Sequence, residues 1–258
     1  LMSISKTFED PKIHVVGGKS LPKYMVPPPV WLDSLWHSTP YGGKGCVHLS
    51  LQDLGNSKME IHPNYVFGLN FSIRKETLFA VGGFHPDLYP KYLQKFQGDG
   101  ETGLTICLAK GGFKAIYNPE ASVYHMIPAD RMTPEYFENR MFYQGVCNSY
   151  TDLRSQMAGI GSHGRIISTE KLYATFRNIW RFVQRSVNFV KVYITSNESR
   201  HVQIKMQRAY QRGYDFHQKE VKNDPLLLRW VLKENYWDYS LPYIVNQNQD
   251  VSKTTKSY

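Results

Sequence analysis

Before about residue 150, apolar positions come in short runs broken by glycine and proline, whereas from Thr169 onward they return every three or four residues. The first pattern predicts alternating strands and short helices. Residues 12–19 (KIHVVGGK) read as a buried strand stopped by Gly17 and Gly18, and 65–74 (YVFGLNFSIR) as a second strand ending at Arg74. Residues 75–83 (KETLFAVGG) then predict a helix that buries Leu78, Phe79 and Val81 and ends at Gly82 and Gly83. Another is expected over 98–112, with Asp99 as N-cap, Leu104, Cys107 and Leu108 on one apolar face, and Gly111 and Gly112 as terminators. Two β-rich runs, FKAIY and SVYH, follow on either side of NPEA, and a long helix is expected from Thr133 as N-cap and Pro134 as first residue.

The second pattern predicts helices. Leu172, Phe176, Ile179, Val183, Val187, Val190 and Ile194 form one continuous apolar face, and 201–221 and 225–237 predict two more helices packed against it. The division is drawn at 158, giving an α/β sheet region over 1–158 and a basic α-helical tail over 159–258. Because the strand–helix alternation opens in mid-course, without an initiator Met, the sequence is expected to be a fragment or one piece of a split protein.

Composition narrows the class. With 258 residues, 41% hydrophobic and 21% charged, the chain can bury a core and is not of disordered type. No run reaches the ~18 apolar residues of a membrane span, and the first residues lack a signal peptide's apolar core. Cys46, Cys107 and Cys147 show no metal-cage or disulfide spacing, so a reducing, cytoplasmic setting is the simplest expectation. The two N-x-S/T matches, at Asn70 and Asn197, carry no weight there. Of the net charge of +9, most lies between Arg165 and Lys222, where twelve Lys and Arg face four acids.

Two segments carry candidate chemistry. In Gln97-Gly-Asp-Gly-Glu-Thr-Gly-Leu104, Asp99 and Glu101 stand two apart at the mouth of a helix, where the dipole favours negative charge. Such carboxylates can take a proton or a metal ion, or simply cap the helix. In Ser122–Arg131 a strand ends in His125, on the edge where open α/β sheets bind ligands, with Arg131 following. Imidazole there suits a borderline divalent metal or an ordinary structural hydrogen bond.

The order of these pieces resembles the family 2 glycosyltransferases of the GT-A fold. The resemblance runs from about Val15 to Arg154 through VVGGK, PPVWL, FGLNFSIRKETLFAVGGFHPDL, GDGETGL and VYHMIPADR. It implies a partial GT-A (nucleotide-diphospho-sugar transferase) sheet domain, its acceptor-side half, followed by the helical region. It further implies an inverting transfer of sugar from a nucleotide-sugar donor to a glycan or glycolipid acceptor, as in polysaccharide biosynthesis. Asp99 matches the family's general base, Glu101 its companion acid, Asn70 the donor-sugar pocket, Arg131 a phosphate neighbour, and His125 a ligand of a divalent metal, Mn2+ or Mg2+. Gly98 replaces the family's preceding Glu, and the Asp-x-Asp pair that chiefly holds the metal is absent from this sequence. The chain alone is therefore expected to be inactive.

The tail leaves two readings open. The Arg177, Arg181 and Arg185 stripe fits the solvated side of a packed helix, or a helix resting on an anionic membrane surface, peripheral at its inner face. No nucleic-acid motif is present, and no nucleic-acid partner is expected. The competing functional class is a non-catalytic split or degenerate module acting as a scaffold or membrane-surface adaptor.

Overall fold

The computed structural model describes residues 1–160, 197–237 and 241. It is a mixed, curled seven-stranded sheet with helices on its faces. The centre is a parallel pair, β1 (Val15–Tyr24) and β7 (Ala115–Ile127), running in register from Val15↔Ala115 to Tyr24↔Ile127. On one side of β1 lies an antiparallel run of β4 (Leu51–Asp53), β3 (Lys44–Cys46) and β2 (His37–Ser38), and β5 (Met59–Ile61) pairs antiparallel with β7.

Alternation along the central strands splits the core. Val15, Ala115 and Tyr117 point to one face and pack with Leu104 and Leu108 of α3 (Glu101–Lys110). Val16 and Ile116 point to the other and meet Ile4 and Phe8, contributed by and next to α1 (Met2–Thr7).

Two strand expectations are corrected. Gly17 and Gly18 do not stop β1: the strand passes through them, and the register with β7 shifts between Gly18 and Ser20. The matching excess on β7 is the NPEA segment, so FKAIY and SVYH belong to one irregular strand. Pro119 has no N–H to give a ladder, and the Asn118 side chain accepts from Glu120 N–H at 3.0 Å. The expected strand over 65–74 shrinks to β6 (Ser72–Ile73), because β1 offers it only Val15 and Val16 before β4 pairs at Ser20. Upstream of β6 the chain folds into 3-10 turns at Pro63–Tyr65 and Gly68–Asn70.

The helices expected before residue 160 and over 201–221 form, while the one expected over 225–237 stops at Val231. α2 (Lys75–Ala80) ends before Gly82 and Gly83, both at positive φ. It buries Thr77 rather than Phe79, which is 54% exposed and stacked on Trp237 at 4.8 Å. α4 (Pro134–Ile160) is capped as expected, Thr133 Oγ1 accepting from Tyr136 N–H at 3.2 Å.

In the tail, α5 (Asn197–Asn223) buries Val202, Met206, Ala209, Gly213, His217 and Val221, one helical face. That face packs on α4 so closely that a Cβ on Gly145 would stand 2.1 Å from the Tyr210 carbonyl oxygen. Phe137 of α4 with Val202 and Met206 of α5 completes a core over Trp31, Leu51 and Ile127. Tyr150 and Val221 join Leu227 and Trp230 of α6 (Pro225–Val231) in another, with Phe96. The apolar face over 172–194 and the arginine stripe beside it lie outside the described residues.

Candidate active site at the mouth of a helix

α3 begins from a turn that brings two distant segments together. Gly100, at φ 53°, takes the N-cap position in place of the expected Asp99. The strip His85–Asp87 runs beside Gly98–Gly100, with Gly98 N–H donating to Pro86 O at 2.9 Å and His85 N–H to Gly100 O at 3.3 Å. Gly103, one turn into the helix, leaves room for the His85 ring: a Cβ there would lie 2.1 Å from Nδ1.

The Asp99 side chain is therefore spent on tertiary contacts. One oxygen meets His85 Nδ1 at 2.5 Å and the other accepts from Thr151 Oγ1 of α4 at 2.6 Å. His85 and Asp99 side chains are 7% and 2% exposed. This is a closed, short, charge-assisted set of hydrogen bonds. Asp99, matched above to the family's general base, thus has its carboxylate sealed between the 85–87 strip and α4.

Glu101 differs. It is half-buried, and its nearest polar contact is Gly68 N–H at a long 3.4 Å. Its carboxylate lies against the Gly68–Asn70 turn, where a Cβ on Gly68 would come within 3.1 Å. Asn70 itself braces the fold, since its amide nitrogen donates to Lys19 O at 3.0 Å and Ala121 O at 2.6 Å, tying the turn to the irregular part of the central pair. Its amide hydrogens are thereby committed away from any ligand.

Around this mouth the network continues. Asp87 accepts from the Gln97 amide and from Leu88 N–H at 2.7 Å, while Gln97 Oε1 accepts from Tyr89 N–H at 3.2 Å. Burial, reinforced by the negative Asp87 and Asp99, pushes the Cys147 thiol well above its usual range and leaves it no nucleophile. Burial likewise holds Tyr236 up at about 12, and Tyr150 higher still.

At the C-terminal end of β7, His125 Nδ1 donates to Leu49 O at 2.9 Å, so the neutral ring presents its lone pair on Nε2. Arg131, at the surface, places Nη1 3.3 Å from that nitrogen. The structure thus brings His125 together with Arg131, whereas Asp99 and Glu101 turn to different partners, and no hydrogen bond or ion pair among the described residues joins either acid to His125 or Arg131. No group of three His, Cys, Asp or Glu among the described residues could hold a metal. His125 offers a single ligand atom, directed at a guanidinium, which does not fit a cation site by itself.

Sequence reasoning missed His85 and Thr151. The first stood inside GGFHPDL, where the glycines drew the reading. The second had no local signal, because only the α4 packing carries it to Asp99.

Comparison with protein-family models, with curated proteins and with solved structures finds no match to this chain. Among the described residues no helix is long and apolar enough to cross a membrane.

Proposed function

We propose that this chain forms the acceptor-side part of an inverting glycosyltransferase with a GT-A-type sheet, acting on a nucleotide-sugar donor and a glycan or glycolipid acceptor. The observation that carries the reading is the division of labour at the mouth of α3, where Asp99 is locked and Glu101 is half-exposed beside the Gly68–Asn70 turn. The five ordered motifs and the strand-end histidine with its arginine support it.

Glu101 then takes the proton of an acceptor hydroxyl as that oxygen attacks the anomeric carbon. The bond from that carbon to the diphosphate breaks, its electron pair leaves with the nucleoside diphosphate, and the sugar inverts. Arg131, exposed and held by His125 at one nitrogen, offsets the growing phosphate charge. Asp99 is a positioning residue, holding His85 and α4 against the first turn of α3. The divalent cation, Mn2+ or Mg2+, that the resemblance implies with His125 as a ligand does not fit the described residues, because His125 is held by Leu49 O and Arg131, and no step is routed through it. Cytoplasmic placement against an anionic membrane surface belongs to the same proposal.

The test is release of nucleoside diphosphate from a panel of nucleotide sugars by the complete polypeptide that contains this chain, with Mn2+ or Mg2+ and glycan acceptors. Acceptor-dependent release is the expected result. No release across the panel would overturn the transferase and favour the scaffold or adaptor module, to which the sealing of Asp99 lends its own support.

A further inference from the structure

Away from the mouth of α3, a cavity of about 340 Å3 opens between strands β2–β4 and the turn over residues 62–67. Gln52 of β4 lines it and is 3% exposed. Its Nε2 donates to Tyr65 O at 2.9 Å, which fixes the amide, because a flipped amide would set oxygen against oxygen. The other end, Oε1, is buried without a hydrogen-bond partner among the described residues. A buried acceptor left this way costs free energy until a donor meets it.

The walls indicate what kind of donor. Tyr65 and Phe67 supply aromatic surface. His62 Nδ1 accepts Asn64 N–H at 3.2 Å, so the neutral ring keeps its proton on Nε2 as a donor. His37 lies over Gly45, its ring 3.7 Å from where a Cβ would stand and Leu51 O nearer still at 3.3 Å, so the floor there is close-packed. No Asp, Glu, Lys or Arg is among the lining residues. The volume is at the low end of the roughly 300–1,000 Å3 of small-molecule sites.

We propose that this cleft binds an uncharged sugar ring, with a ring hydroxyl donating to Gln52 Oε1 and an apolar C–H face on Phe67 or Tyr65. A phosphorylated ligand would find no cation here, and a sugar supplies both the hydroxyl donors and the apolar face. Neither Glu101 nor His125 lines the cleft, but its walls are continuous along the chain with the contacts of both. Phe67 precedes Gly68, which faces Glu101, and Val47 opens the turn whose Leu49 carbonyl accepts from His125. Its assignment as the acceptor subsite rests on the transferase reading; binding itself does not.

Saturation-transfer NMR on the 258-residue chain tests it, with the methyl glycosides of glucose, galactose, mannose and N-acetylglucosamine, and uridine as comparator. At least one glycoside is expected to give a difference signal, and Gln52→Leu and Phe67→Ala are each expected to weaken it about tenfold while the thermal unfolding transition is kept. If Gln52→Leu does not fold, Phe67→Ala on the cleft wall decides. No signal from any glycoside, a signal from uridine alone, or glycoside binding untouched by the folded variants overturns the proposal. Binding by a chain whose complete polypeptide transfers no sugar sinks the transferase and leaves the cleft. Sugar transfer without glycoside binding here does the reverse.

Discussion

The mouth of α3 and the cleft beside β4 both bury polar side chains against the same sheet, yet they solve the problem in opposite ways. At the mouth, Asp99 has a donor for each oxygen, and its carboxylate is 2% exposed. In the cleft, Gln52 has one partner for two ends, and the unfilled end belongs to a residue that lines an opening. A satisfied buried network holds a fold together, whereas an unsatisfied group beside open space leaves a place for something else. His217 separates the two conditions. Its Nδ1 pairs with Ser149 Oγ at 2.7 Å, and its Nε2 is likewise unpartnered, but it is fully buried between α4 and α5. It reads as a structural liability rather than a site.

Breaking the satisfied side should cost most. Asp99→Ala strips His85 of its partner and leaves the Thr151 hydroxyl only the Cys147 carbonyl at 3.1 Å, and urea unfolding is expected to show a loss of about 3 kcal/mol. A change within ~0.5 kcal/mol would show that the network does not hold the mouth.

The sealed orphan should show itself through acid. Burial lowers the folded-state pKa of His217 to about 4, from an ordinary value of 6.5. The unfolded chain therefore binds this proton first, so stability is complete above about pH 6.5 and falls as pH drops toward 4, by on the order of 2–3 kcal/mol. Denaturation curves across that window, compared with His217→Gln, isolate the effect; the variant should lose less stability over the same interval.

Gln52→Leu should change least. It removes an unpartnered oxygen and one hydrogen bond to Tyr65 O together, and unfolding is expected to shift by less than about 1 kcal/mol either way. A loss comparable to that of Asp99→Ala would make Gln52 a structural residue like Asp99 and erase the contrast.

Helices were legible in the sequence because their signals are local. Thr133 and Pro134 announced α4, and the helical stretch over 201–221 announced α5. Strand extents were not, since they depend on what lies alongside: β6 is short because β4 claims β1 at Ser20, and β7 continues past Pro119 because β1 accommodates the irregularity. The same limit governed the site. Asp99 and Glu101 could be placed at a helix mouth from their spacing. Which of them is closed off depends on Thr151 and His85, and those contacts exist only once α4 and the 85–87 strip are packed. Gln52 carried no signal at all, since an orphaned oxygen is a property of surroundings.

The central claim is that Glu101, not Asp99, takes the proton. Its most direct test is kcat of the complete polypeptide with Glu101→Gln, read beside the thermal unfolding of the same variant. The account predicts a fall of about 100-fold or more with the unfolding transition unmoved. Wild-type turnover in Glu101→Gln would contradict it.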